Sequence, residues 1–346
     1  MYKKTYFFLL LLVMMYGIIP FEISKLIGSD FLIGDFVDPN LYSDLIVLTL
    51  GVAFFLSPIL KKRIELPSFN IYGRFSENIG YNIYIFYLVF LLFLGFFLRL
   101  IGTERGDLLG ILSSTFIQGM GIILILFYLK FIKSNKKVII LVSILFCIID
   151  VLFMGKQYFI SLVTILIFLA DCNSFKIKVL HLMLILVVSV LFVFIINLSR
   201  GDFSEIDLFS SLMEFRGVLS SIQFANHDIS IFGLSAFRTS VENSSVDTYG
   251  YNLAFHPLMF FRSISDSASL GIILYSTFIF FLLKLMIRTI GGYAVLIISL
   301  NFIHFLRHGI DLFVIKIIFQ YLIVLLFRFK FDLVNREQPR TIEQKL

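Results

Sequence analysis

Arginine and lysine are not mixed at random along this chain. Arg99, Arg105, Arg200, Arg216, Arg238, Arg262 and Arg307 fall in one set of connections between apolar segments, a set in which Lys25 and Lys156 are the only lysines. The alternate set holds Lys3, Lys4, Lys61, Lys62, Lys130, Lys133, Lys136, Lys137, Lys176 and Lys178, and there lysine dominates. A guanidinium presents a planar fork of donors that matches phosphate oxygens two at a time and keeps its proton, whereas an ammonium is a flexible point charge. Arginines gathered on one face therefore suit a diphosphate held at the level of lipid headgroups. The competing reading is that they pair with nearby carboxylates such as Asp202, Glu205, Asp207, Glu214 and Asp228, since surface ion pairs are common and weak.

A second concentration of ionisable groups is HFLRHGIDLFVIK, which brings His304, Arg307, His308, Asp311 and Lys316 into one tight turn between two apolar runs. Ionisable residues at a membrane mouth mark a site. Gly309 suits the turn itself. His304, His308 and Asp311 have a spacing that could bind zinc on one continuous helix, but a reversal near Gly309 separates their faces, so no metal is expected. A histidine or Asp311 could instead handle a proton, or the group could form a buried polar network. Arg99 in FFLRLIG and Lys156 in FMGKQYF sit near span ends, where a cation snorkels, pairs or binds a ligand. Asp35 and Asp38 in GDFVDPN are spaced like the acidic pair of a sugar transferase. Walker, Rossmann, Gly-x-Ser-x-Gly and His-Glu-x-x-His signatures are absent.

These residues must be positioned by apolar helices. The chain is 59% hydrophobic and 15% charged, which leaves no room for a large soluble domain and predicts one membrane domain over residues 1–346. Apolar stretches at 5–20, 41–60, 79–101, 108–131, 138–154, 158–171, 177–197, 267–288, 291–307 and 310–328 predict an all-α polytopic membrane protein of about ten transmembrane helices. Lysine and arginine near span ends resist translocation, so the lysine-rich connections are expected to be cytoplasmic, as are both termini. Tyr16 to Phe21 lacks a small-x-small cleavage pattern, and the first segment reads as a retained helix rather than a leader. The formal charge of +6 follows from these span ends and does not call for nucleic acid. Cys147 and Cys172 lie on different segments away from the oxidising side, so no disulfide is expected.

Residues 198–266 form one large outward-facing loop between the seventh and eighth spans. It is too rich in Phe, Leu and Ile for a disordered linker, and FSEIDLFSSLMEFRGVLSSIQF has the rhythm of an amphipathic helix lying on the membrane surface.

The whole-chain pattern resembles the Wzy-type O-antigen and capsular repeat-unit polymerases, which share ten or more spans, cytoplasmic termini and one dominant outer loop in the C-terminal half. MGKQYFISLVTILI resembles a family turn that reads Gly-Ser-Arg before an apolar helix, with Lys156 where the arginine would stand. SISDSASLGIILYSTF, with Gly271, resembles the re-entry from the large loop into the next span. The Arg-x10-Gly pattern of some members is not met, because Arg238 to Gly250 is one residue too long. The related ligases carry a His-Asn stretch before the re-entry, whereas His256 here is followed by Pro257.

The resemblance implies a bacterial inner-membrane glycosyltransferase acting on undecaprenyl-diphosphate-linked oligosaccharides at the outer face. It needs no cofactor, and its partners would be the lipid-linked substrates, the bilayer and a chain-length regulator protein. On that reading Arg99, Lys156, Arg200, Arg216, Arg238, Arg262 and Arg307 are the candidate diphosphate-binding residues, and Glu214, His256 and His308 the candidate proton acceptors. The alternatives are a flippase of the same lipid-linked sugars, an O-antigen ligase and a membrane O-acyltransferase.

Overall fold

A computed structural model describes residues 2–19, 21–22, 40–60, 64, 86, 90, 93–94, 97, 101, 163–164, 166–168, 170–171, 256–264, 268–307 and 310–336. Every element among the described residues is helical: α1 (Lys3–Met15), α2 (Leu41–Leu56) with a 3-10 turn at Ser57–Leu60, α3 (Pro257–Ile264), α4 (Ala268–Ile290), α5 (Gly292–Arg307) and α6 (Ile310–Arg336). The expected spans at 108–131, 138–154 and 177–197, most of 79–101, part of 158–171 and the loop as far as residue 255 lie outside the described residues.

Two stretches, Leu41–Leu60 and Ala268–Ile290, are long and apolar enough to cross a bilayer, with mean hydropathies of 2.0 and 2.2. Their exposed faces carry the stronger argument. On α4 the buried stripe is Ala268, Ile272, Ser276, Ile279, Leu283, Met286 and Ile290, the spacing of one helix face. The opposite face, which a water-soluble protein would make polar, carries exposed Leu270, Leu274, Phe278, Phe281 and Leu285. The same holds for α2, where Ile46, Leu50 and Phe54 are exposed, and for α1, where Phe7, Leu11 and Met14 are. Helices apolar all round suit a membrane environment.

Named contacts fix the helix directions. The Tyr6 hydroxyl donates to the Ala53 carbonyl at 3.3 Å, and Phe21 stacks on Tyr42, so α1 and α2 are antiparallel. Gly51 abuts Ile272 and Ser276, while Phe54 stacks on Phe280, so α2 and α4 run parallel. That pair can close up because position 51 has no side chain. At the end of α4, Gly291 takes φ 60°, its N–H donates to the Ile287 carbonyl at 3.0 Å, and the chain reverses into α5. Tyr275 stacks on Phe305, which sets α5 antiparallel to α4, and side-chain pairs described below set α6 antiparallel to α5.

The bundle thus has two distinct ends. One gathers Lys3, Lys4, Ser57–Leu60, Lys284, Arg288 and Gly291; the other gathers the start of α2, all of α3, the start of α4, Arg307 and Ile310. The centre is α5, buried from Tyr293 to Leu306.

Two features differ from the sequence reading. The expected loop ends in a helix, α3, whose Leu258 and Phe261 are fully buried. Pro257 starts it, at a position where the missing N–H costs nothing, and Gly271 of α4 leaves room for the Phe261 ring. The second feature is a latch at the lysine end. The Asp171 carboxylate accepts from the backbone N–H groups of Lys4 (3.1 Å) and Thr5 (2.7 Å) and from the Thr5 hydroxyl (2.8 Å), and the Lys4 ammonium donates to the Ala170 carbonyl at 3.2 Å. Tyr2, the N-cap of α1, makes no capping bond through its own side chain, and a carboxylate distant in sequence satisfies the helix start instead.

Candidate functional site

The α5–α6 hairpin places its polar side chains in facing pairs. Asn301 and His304 lie one turn apart on α5, and Lys316 and Gln320 one turn apart on α6. Because the helices are antiparallel, His304 meets Lys316 and Asn301 meets Gln320. The Lys316 Nζ and His304 Nε2 are 2.9 Å apart. The Asn301 amide donates to Gln320 Oε1 at 2.8 Å and also to its own helix at the Ile297 carbonyl, 2.8 Å away, while Gln320 returns a longer bond of 3.5 Å to Asn301 Oδ1.

All four side chains are buried, Lys316 to 1% exposure and Asn301 to 0%. On the same two helices Phe302, Phe305 and Phe313 pack on one another, and Tyr275 of α4 lies flat against Phe305. Lys316 lies six residues into α6, about 9 Å from its start at the usual rise of a helix. This ammonium is therefore inside the bundle, about two turns beneath the end that carries Arg307.

With lysine as donor, the imidazole accepts at Nε2 and carries its own hydrogen on Nδ1. Two nitrogens at this separation can hold one proton between them, which gives the hairpin an acid–base pair within its apolar body. Amide pairs of the Asn301–Gln320 kind hold transmembrane helices in register, since in hydrocarbon an unmade hydrogen bond is not replaced by water.

His256 precedes α3, and its Nδ1 accepts the Leu258 backbone N–H at 3.2 Å, which caps the helix. The neutral ring then carries its hydrogen on Nε2 and presents a donor there. His256 is 2% exposed, and α3 packs against α4 and α5 at the Arg307 end of the bundle.

Among the other residues singled out by sequence, Arg262 lies within α3 and Arg307 closes α5. Glu214, His308, Arg99, Lys156, Arg200, Arg216 and Arg238 lie outside the described residues, as does Gly309. Sequence reasoning found His304 and Lys316 as members of one hairpin but did not single out Asn301 or Gln320. The available signal was a carboxamide in each of two otherwise apolar helices, at offsets that a tight turn would bring together. The Asp171 latch had no local signal, because its partners are separated by most of the N-terminal half.

Comparison with protein-family models, with curated proteins and with solved structures returns no match.

Proposed function

We propose that this chain is a polymerase of undecaprenyl-diphosphate-linked oligosaccharide units, an inner-membrane glycosyltransferase working at the outer face. The observation that carries the reading is the composition of one bundle end: the tail of the long loop folds back as α3 where α5 closes at Arg307, above the buried Lys316–His304 pair.

The helix directions support a ten-span arrangement with cytoplasmic termini. Leu60 and Asp171 belong to the lysine end and Ala268 to the other. With the apolar segment 177–197 as one further crossing, 198–266 falls on the same side as Ala268, in keeping with the ten-span reading. The charge rule counts lysine and arginine alike, and the basic residues at the end shared by Lys3, Lys4, Lys284 and Arg288 support placing that end in the cytoplasm.

In the proposed reaction an acceptor hydroxyl attacks the anomeric carbon of the growing glycan. A new carbon–oxygen bond forms, the bond to the lipid diphosphate breaks with its electron pair, and the hydroxyl proton passes to a base. Diphosphate is a competent leaving group, so the protein supplies positioning and charge stabilisation. Arg216, Arg238 and Arg307, with Lys156, grip the diphosphates, and Arg99, Arg200 and Arg262 are further candidates for the same role. Glu214 or His308 takes that proton. His256, the third candidate acceptor of the sequence reading, has its ring held by the Leu258 N–H donating to Nδ1.

A flippase of the same lipid-linked sugars is the second reading, favoured by one observation: an ionisable pair inside a membrane hairpin suits a transport path. Deleting the gene and resolving the surface polysaccharide on a gel separates them. A ladder collapsing to a single repeat supports the polymerase; loss of all repeats indicates a flippase or ligase; an unchanged ladder refutes all three.

A further inference from the structure

The exposed stripe of α4 leads to two cations. Leu274, Phe278, Phe281 and Leu285 occupy one outward face, and exposed Lys284 and Arg288, one turn apart, close it at the lysine end. The stripe begins at Leu270, and its part nearest the cations, from Leu274 to Leu285, is about 16 Å long, comparable with one leaflet of a hydrocarbon core of about 30 Å. Its side wall is aromatic. Phe54 of α2 stacks on Phe280 at 4.8 Å, and Phe281 stands edge-on to Phe280 at 5.5 Å. Phe54 and Phe281 remain 47% and 59% exposed, so the rings form a ridge open to lipid rather than a closed core. Lys284 follows Phe280 by four residues and Phe281 by three, which puts its ammonium stem one turn beyond the rings. The α4 sequence contains no carboxylate, so every charge this helix brings to the face is positive.

We infer that this face is a binding site for an anionic phospholipid, with the acyl chains along Leu274 to Leu285 and the phosphate held between Lys284 and Arg288. A zwitterionic lipid offers the same chains but presents its own cation to the two basic residues. Selectivity therefore comes from the headgroup, at about fivefold for each cation (about 1 kcal/mol). The site lies at the bundle end opposite Arg307 and is independent of the proposed chemistry.

The chain has no tryptophan, which allows a silent background. Phe281→Trp in the full-length protein, reconstituted into phosphatidylcholine bilayers, reports local lipid through quenching by dibrominated phosphatidylglycerol or dibrominated phosphatidylcholine. The expected result is a preference for phosphatidylglycerol of about fivefold or more, abolished by K284Q/R288Q while quenching by phosphatidylcholine persists. Leu270→Trp, at the other end of α4, should show no such preference. Equal quenching by both lipids at position 281, a preference that survives K284Q/R288Q, or the same preference at position 270 would overturn the site. So would displacement by inorganic phosphate beyond that by chloride at equal ionic strength, which would make the ligand free phosphate.

Discussion

Placing a methyl group at Gly51 tests the helix pairing on which the bundle is built. A Cβ there would stand 2.6 Å from the Ser276 hydroxyl oxygen and 2.8 Å from Ile272 Cγ2, where ordinary contact begins at 3.4 Å. Either α2 and α4 separate or both side chains turn, and overpacking of this kind costs about 1–3 kcal/mol. Alanine returns up to about 1 kcal/mol through its better helix propensity, so G51A should lose about 1–2 kcal/mol net. The origin of that loss is separable. In Ser276→Ala the hydroxyl is gone and the nearest remaining atom of residue 276 is its Cβ, at 3.6 Å. The same G51A change in that background should cost about 1 kcal/mol less, the coupling expected for residues in contact. The assay is reversible unfolding of purified protein in mixed micelles, titrated with dodecyl sulfate and followed by circular dichroism. G51A equally costly in both backgrounds would refute the close contact of position 51 with Ser276.

The polar pairs and the latch make further predictions. N301L and Q320L should each lose about 1 kcal/mol in the same unfolding assay, and the double variant should lose less than the two together, because it leaves no amide without its partner. K316M deprives His304 Nε2 of its donor and should cost about 1–3 kcal/mol, most of it recovered in K316M/H304L; a K316M protein of parental stability would show that the pair contributes nothing. D171A removes three hydrogen bonds from the start of α1 and should cost about 1–2 kcal/mol, with D171N in between, while cysteines at 5 and 171 should cross-link with a short bifunctional reagent. For the proposed chemistry, R216K, R238K and R307K should each lose most polymerising activity at normal expression, because lysine cannot reproduce the bidentate fork; near-normal activity in all three would sink the diphosphate assignment.

The described bounds of α4 and α5, and of α2 taken with its 3-10 turn, fall within about two residues of the segments read from hydropathy alone, whereas α6 runs further, to Arg336. Apolar length is a local property, and a bilayer demands it whatever the neighbours are. Lys3, Lys4, Lys284 and Arg288 were legible as charges flanking apolar segments for the same reason, since such charge is read from the local pattern rather than from tertiary contacts. Pro257 carried a readable start signal, yet α3 was read as loop because eight residues are too few to stand out from an irregular segment.

Sequence by itself determined that the described segments are apolar helices and which stretch, HFLRHGIDLFVIK, holds a concentration of ionisable groups. Only the tertiary structure decided that Lys316 meets His304, that Asn301 meets Gln320, that α2 lies parallel to α4 through Gly51, and that Asp171 caps a helix 166 residues before it. Apolar helices in lipid are nearly interchangeable in composition, so hydropathy cannot choose partners among them. That choice rests on steric fit at a few small residues and on hydrogen bonds between a few polar ones, and both depend on distances that a linear pattern does not contain.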